Sequence, residues 1–276
     1  MTAGSPISVT QALLEARALG LDRLDTLMLL ADTLARSRTW LLAHDDATLS
    51  VEQCTRLRAR LARRATGEPL AYLLGEKEFH GLMLQVDSNV LVPRPDTEVL
   101  VDWALELLAG APHRNFVDLG TGSGAIALAV KHAQPAVIVS ATDVSPTALS
   151  IARANARRLA LDVEFISGSW WQAVPQRRFH LVLSNPPYIA EGDPHLAALG
   201  HEPALALTPG GDGLEALRCI VAGAAAHLEP GGWLLLEHGF DQAGAVQVLL
   251  REHGFVGIQT RHDLAGQPRC SGGHQP

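Results

Sequence analysis

Val117-Asp118-Leu119-Gly120-Thr121-Gly122-Ser123-Gly124 joins the end of one run, Asn115 to Leu119, to the start of another, Ser123 to His132. A short apolar run followed at once by closely spaced glycines predicts a strand, a tight turn and the first turn of a helix. Glycine lets the backbone turn sharply and approach a ligand closely. The pattern by itself leaves that ligand open. Gly120, Gly122 and Ala125 satisfy the G-x-G-x-x-G/A dinucleotide fingerprint, whereas Asp118 on the strand and a third glycine at 124 point away from it.

Downstream, the chain alternates. Strands are predicted at Ala136 to Thr142, Val163 to Ser167, Phe179 to Ser184 and Trp233 to Glu237, with a final strand or hairpin at Val256 to His262. Helices are predicted at Pro146 to Leu159, Leu214 to Leu228 and Gln242 to His253. This βαβ alternation implies an α/β fold, a largely parallel sheet with helices on both faces. Asp143 ends the second strand, where a carboxylate can accept both hydroxyls of a ribose. NAD and S-adenosylmethionine (AdoMet) enzymes share that device, so it indicates a ribose without naming the cofactor. The competing reading is that Asp143 caps the next helix, a task open to Ser145.

Upstream, residues from Thr10 to Gly67 carry apolar side chains at helical spacing, with Thr39 and Ser50 as candidate N-caps. Val51 to Arg64 holds Arg56, Arg58, Arg60, Arg63 and Arg64, either a solvated face or a dock for an acidic or RNA-bearing partner. Glu78 to Val86, a turn at Asp87-Ser88-Asn89, and Val90 to Val92 read as a β-hairpin. Arg94-Pro95-Asp96-Thr97-Glu98 then opens a helix running to Leu108, proline and acids being favourable at a helix start. The domain organisation expected is 1–67 helical and substrate-binding, 68–93 a β-hairpin linker, and 94–276 catalytic.

Asn185-Pro186-Pro187-Tyr188 follows the fourth of these strands. Two prolines fix two φ angles and remove two N–H donors, so the strand cannot pair onward and leaves the sheet stiffly. The Asn185 side-chain amide and the Pro186 carbonyl are then free to face a ligand, and two acceptors aimed at one point suit an –NH2 group. Tyr188 adds a flat face. The competing reading is a plain proline turn after a buried strand.

Composition narrows the classes. Among 276 residues, 47% are apolar and the net charge is −7. A general nucleic-acid binder, which neutralises phosphates with clustered Lys and Arg, is disfavoured. Three scattered cysteines, Cys54, Cys219 and Cys270, fit neither a disulfide framework nor a zinc site and suggest a reduced, cytoplasmic setting. Neither a signal peptide nor a membrane span is expected. His195, His201 and His238 lack ligand spacing, so no metal is expected.

Together, Gly120 to Gly124 after Asp118, Asp143, and Asn185 to Tyr188 resemble the class I AdoMet-dependent amino-methyltransferases. Val92 to Glu98, Ser184 to Ile189, and Leu235-Leu236-Glu237-His238-Gly239 narrow the resemblance to the peptide chain release factor glutamine methyltransferases. The resemblance runs from Glu68 to Asp263, and a helical N-terminal module also suits that family. It implies a Rossmann-like methyltransferase fold and methyl transfer from AdoMet to the side-chain nitrogen of the glutamine in the Gly-Gly-Gln loop of class I release factors. It further implies that Gly120, Thr121, Gly122, Ser123, Gly124, Asp143, Trp170 and Asn185 bind the cofactor. Asn185, Pro186, Pro187 and Tyr188 would bind the glutamine, with Asn185, Pro186 and Tyr188 catalytic. Trp171 is the alternative to Trp170 as cover for the adenine. Three departures from the family pattern stand out. Ser169 replaces the usual Asp before the tryptophan, the Asp193 to Pro203 loop is shorter, and Gly266 to Pro276 looks irregular, with the last strand short. The runner-up is an N6-adenine or rRNA guanine methyltransferase, followed by a non-catalytic AdoMet- or nucleotide-binding module or an NAD oxidoreductase. A monomer without stable nucleic-acid or membrane partners is expected.

Overall fold

The computed structural model describes residues 6–110 and 114–276. The chain divides into two compact units, Met1–Gly75 and Glu76–Pro276. In the first lie α1 (Val9–Ala18), α2 (Arg23–Leu34), α3 (Arg38–Ala43), α4 (Val51–Ala65) and α5 (Leu70–Leu74). Side-chain oxygens set the starts. Ser8 and Ser50 form reciprocal capping boxes with Gln11 and Gln53, and Asp22 caps α2. Helix α3 is capped by Ser37, which accepts from the Trp40 N–H at 3.1 Å, and not by Thr39 as expected. The earlier hydroxyl satisfies that N–H first, which places Thr39 inside the helix.

The arginines of α4 turn to acids and carbonyls of their own unit. Arg58 pairs with Glu15, Arg60 with Asp32, Arg63 with Glu68 and Arg64 with Asp25. Arg56 donates to the carbonyls of Asp32 and Thr33. All five guanidinium groups are thus engaged within the unit, and the run is a set of ties to neighbouring segments rather than an open cationic patch. Each such exposed pair contributes about 0.2–1 kcal/mol.

The second unit opens with a hairpin, β1 (Glu76–Phe79) and β2 (Leu82–Gln85). Its turn is His80-Gly81, not the expected Asp87-Ser88-Asn89, and residues 90–92 form no strand. Both turn residues have positive φ, 48° and 78°, the geometry that two-residue hairpin turns require. A single turn of 3-10 helix, Pro95–Thr97, leads into α6 (Glu98–Leu108).

A seven-stranded sheet follows: β3 (Asn115–Leu119), β4 (Ile138–Asp143), β5 (Glu164–Ser167), β6 (Phe179–Ser184), β7 (Leu228–Glu237), β8 (Val256–His262) and β9 (Pro268–His274), in the order β5-β4-β3-β6-β7-β9-β8. Only β9 runs against the rest. Between strands lie α7 (Ala125–Ala133), α8 (Pro146–Leu159), α9 (His195–Ala198), α10 (Glu215–His227) and α11 (Ala243–Glu252). Side chains alternate across the sheet as strand geometry demands. Phe116, Leu181, Leu183 and Leu235 join one core with α6 and α7, while Val117, Val182, Leu234 and Leu236 join another with α10 and α11.

Gly266 to Pro276 is not irregular. It holds β9, paired on both sides, and its glycines have a packing cause: a Cβ on Gly272 would lie 2.4 Å from Leu235 Cδ2 and 2.6 Å from the Leu234 carbonyl. The close approach needs residues whose strand propensity is low, so the strand escapes detection in the sequence.

Asn155 of α8, fully buried, locks the hairpin to the glycine turn. It accepts from the Gln85 N–H at 2.7 Å and donates to the carbonyls of Gln85 and Ser123, both at 3.0 Å. Replacing Asn155 with Leu strands the buried Ser123 carbonyl and removes both ties to the Gln85 backbone, and the expected loss is about 2 kcal/mol in unfolding free energy measured by urea denaturation.

Candidate functional site

The carboxyl ends of β3 and β6 lie side by side, with Leu119 level with Ser184. The buried Ser184 hydroxyl donates to the Leu119 carbonyl at 2.7 Å and ties the two ends together. From here β4 and β5 continue to one side of β3 and β7 to the other. Such a switch in strand order opens a crevice beyond the strand ends. A cavity of about 490 Å³ occupies it, walled by the glycine turn, Asp143, Ser169, Trp170, Asn185 and Pro187.

Gly120, Gly122 and Gly124 all have positive φ, at 76°, 57° and 86°. The Gly120 and Thr121 N–H groups both donate to the Thr142 carbonyl, so the turn folds back over β4. Asp143 accepts from the Gly122 N–H at 2.9 Å and the Ser145 N–H at 2.8 Å, while Ser145 itself caps α8. The carboxylate is therefore held against the cavity wall and is not the helix cap. Side chains are excluded at two of the glycines. A Cβ on Gly120 would meet the Trp170 ring at 3.3 Å, and one on Gly124 would meet Leu128 at 3.0 Å. At Gly122 a Cβ would meet nothing within 4 Å, which leaves backbone bare on the cavity side.

The two tryptophans separate. Trp170 lines the cavity, beside Ser169, with its backbone at φ 43°. Left-handed backbone is unfavourable for such a side chain and is sustained only where surrounding structure imposes it. Trp171 is buried, donates to the Ile220 carbonyl at 2.9 Å and stacks on His227, so it belongs to the core.

Asp118 sits behind the glycine turn, fully buried. Its Oδ2 accepts from the Thr121 hydroxyl at 2.6 Å, and its Oδ1 has no hydrogen-bond partner among the described residues. Burial pushes this carboxyl up to about 7 against the opposing pull of the Thr121 hydrogen bond.

The Asn-Pro-Pro-Tyr turn divides its residues between cavity and interior. Asn185 and Pro187 line the cavity, while Pro186 is buried. Asn185 donates its Nδ2 to the Thr97 hydroxyl at 3.2 Å, so its amide oxygen is the atom left for a ligand. Tyr188 is not among the cavity-lining residues; its hydroxyl points inward to Glu237 at 3.3 Å. The turn is clamped from behind. Gln242 donates to the Tyr188 carbonyl at 2.9 Å, and Gly213 approaches so closely that a Cβ there would lie 2.5 Å from that oxygen.

Two further residues were not singled out from the sequence. Glu202, buried on the loop after β6, accepts from the Val92 N–H at 3.0 Å and pairs with Arg94, bridging two segments of the cavity rim. Thr97, 4% exposed, holds Asn185. Both partnerships join positions about ninety to a hundred and ten residues apart, where local pattern carries no signal. His238 is buried between the Gly239 carbonyl and the Ser271 hydroxyl, and burial lowers its pKa, as befits a packed neutral imidazole. No cluster of potential metal ligands, and no helix long and apolar enough to cross a membrane, occurs among the described residues.

Comparison with known proteins gives this geometry relatives. A family model described as "Methyltransferase small domain" matches residues 97–212, and one described as "PrmC N-terminal domain" matches residues 7–75. The release factor glutamine methyltransferase of Bordetella pertussis is 49% identical over 258 residues, 92% of this chain and 96% of that protein. Its counterpart in Burkholderia pseudomallei is 47% identical over 285 residues, covering 100% of this chain and 99% of the relative. Among solved structures, the T. thermophilus 16S rRNA N2 G1207 methyltransferase in complex with AdoMet and guanosine superposes with a TM-score of 0.54 at 19% identity, over 73% of this chain and 50% of that one. That likeness shows the class I methyltransferase fold.

Asp118 has a consequence for stability. A carboxyl raised to about 7 in the folded state holds its proton where the unfolded chain has lost it, from about pH 4 upward. Its contribution is therefore full at low pH and is lost as pH rises through about 7. Asp118→Asn keeps the shape and removes the titration, so the fall in unfolding free energy between about pH 5 and pH 8 becomes shallower in urea titrations.

Proposed function

This chain belongs to the release factor glutamine methyltransferase family, and we infer that it transfers the methyl group of AdoMet to the side-chain nitrogen (N5) of the glutamine in the Gly-Gly-Gln loop of class I peptide chain release factors. The carrying observation is the placement of Asn185. It stands at the switch point beside the glycine turn, with its Nδ2 engaged by Thr97 and its oxygen left to accept.

The cavity suits AdoMet: bare backbone at Gly122, a carboxylate held at its wall by backbone N–H groups, and a tryptophan ring over Gly120. In this reading Gly120 to Gly124 hold the methionine portion, Asp143 the ribose hydroxyls, and Trp170 the adenine, with Asn185 at the boundary between cofactor and substrate. Bound there, AdoMet supplies a methyl group activated by its sulfonium. Ser169 offers a hydroxyl where the related enzymes usually carry a carboxylate. The first unit serves recognition of the protein substrate.

An amide nitrogen is a weak nucleophile because its lone pair is delocalised into the carbonyl. What the protein can contribute is position. The Asn185 oxygen and the Pro186 carbonyl each accept one N–H of the substrate amide and turn its nitrogen toward the methyl group, while Tyr188, its hydroxyl turned inward to Glu237, braces the turn from behind. Orientation of this kind can supply about 7–11 kcal/mol toward an in-line displacement. Glu215 lines the cavity at the start of α10 but faces Arg218 at 3.7 Å. No base is assigned to the nitrogen, and the proton released after transfer leaves to water.

Labelled AdoMet offered in parallel to a release factor, to the same factor with its loop Gln changed to Ala, and to DNA and rRNA tests the reading. Label is expected on the intact factor alone; label on nucleic acid would replace this reading with base methylation. Asn185→Ala is expected to lower kcat by about a hundredfold or more, with AdoMet affinity by calorimetry mostly retained. Unchanged turnover would remove Asn185 from the mechanism.

A further inference from the structure

We propose that Glu237 is a positioning residue for the reaction, acting through Thr97 to hold Asn185 with its amide oxygen toward the substrate. The inference rests on the role given to Asn185 above. Glu237 ends β7, and its neighbour Leu236 pairs with Ser184, so Glu237 lies level with Asn185 in the adjacent strand. It is 1% exposed. The Tyr188 hydroxyl donates to its Oε1, Oε2 has no hydrogen-bond partner among the described residues, and the Thr97 hydroxyl lies close enough to favour its charged form.

The direction of hydrogen bonding follows from what each group can do. A carboxylate only accepts, a hydroxyl gives one hydrogen and accepts others, and an amide has a donating and an accepting end. With Glu237 charged, the Thr97 hydroxyl turns its hydrogen to the side of the carboxylate and keeps its lone pairs for Asn185. Asn185 must then offer Nδ2, as observed at 3.2 Å, and its Oδ1 faces the ligand. A Gln at 237 breaks the chain. It can present an N–H to Thr97, whose hydrogen then turns to Asn185, and the amide flips to set its own –NH2 against the –NH2 of the substrate.

The charged and titratable groups around Glu237 come from each neighbouring element. They are Tyr188 of the proline turn, Asp96 before α6, Arg269 and Cys270 of β9, and Arg269 in turn contacts Asp96 and Asp263. Burial raises the Glu237 carboxyl to about 7, offset in part by Thr97, Arg269 and Tyr188. Protonated, Glu237 can itself donate to Thr97, with the same consequence as Gln.

The test uses the full chain with an intact release factor and compares Glu237→Gln, Thr97→Val, Thr97→Ser and the double variant E237Q/T97V. Expected are falls in kcat of about tenfold or more for E237Q and T97V, with AdoMet affinity unchanged. T97S, which keeps the hydroxyl, restores most of the rate lost in T97V. The double variant loses no more than the worse single one, as coupled residues do. The wild-type kcat declines as pH falls below about 7 through protonation of the carboxylate, and that limb is absent in E237Q. A normal kcat in E237Q, or losses that multiply in the double variant, would overturn the proposal. Inactivity of N185A beside full activity of E237Q would defeat this inference alone, whereas full activity of N185A would defeat the role of Asn185 on which it rests.

Discussion

Parallel pairing of β3 with β6 is the constraint on which the site depends. Leu119 and Ser184 stand opposite one another, and the Ser184 hydroxyl closes on the Leu119 carbonyl. A register slip of one residue would turn every side chain of β6 to the opposite face, exchanging Leu181 and Leu183 with Val182 between two filled cores. The hydrophobic cores therefore fix to within one residue where the glycine turn meets the proline turn. Each turn then leaves its strand abruptly, one because glycine permits positive φ, the other because proline permits no further pairing.

Electrostatics adds a second layer behind that junction. Asp118 and Glu237 are both fully buried and raised to about 7, one behind the glycine turn and the other behind the proline turn. Each retains an oxygen without a partner among the described residues. Buried acceptors of this kind destabilise the fold, and both lie directly behind segments that form the cavity wall. The arginines of α4 show the opposite economy: five cations that look available in the sequence are all engaged by acids and carbonyls of their own unit.

What could be read from the chain beforehand follows the range of the interaction. The strands from β3 to β6, the helix opening at Pro95, the glycine turn and the Asn-Pro-Pro-Tyr turn are all signalled by residues adjacent in sequence, and each was legible. The hairpin turn was misplaced because Asp87-Ser88-Asn89 has stronger turn chemistry than His80-Gly81; the pairing of Phe79 with Leu82 decides it. Strand β9 was missed because packing against Leu235 and Trp103 selects glycine where propensity would select Val or Ile. Asn155, Glu202 and Thr97 were missed for a further reason: their partners lie seventy to a hundred and ten positions away, and a lone polar residue in an apolar run does not reveal whom it meets. Glu237 stood in plain view within a recognised motif, but its purpose appears only when Thr97 and Tyr188 are placed around it.

Strand β9 also sets an order in time. It enters between β7 and β8, although β8 precedes it in the chain. During synthesis, β8 has no place in the sheet until residues 268–274 have emerged, and β7 meanwhile presents a bare edge of unpaired N–H and carbonyl groups. The same strand brings Arg269, the cation that faces Glu237 and Asp96. A nascent chain halted before Pro268 would carry its glycine turn and its proline turn, yet expose an adhesive flank and lack the charge that balances the buried acid. Readiness to act thus waits on a strand that is made after both of its neighbours in the sheet.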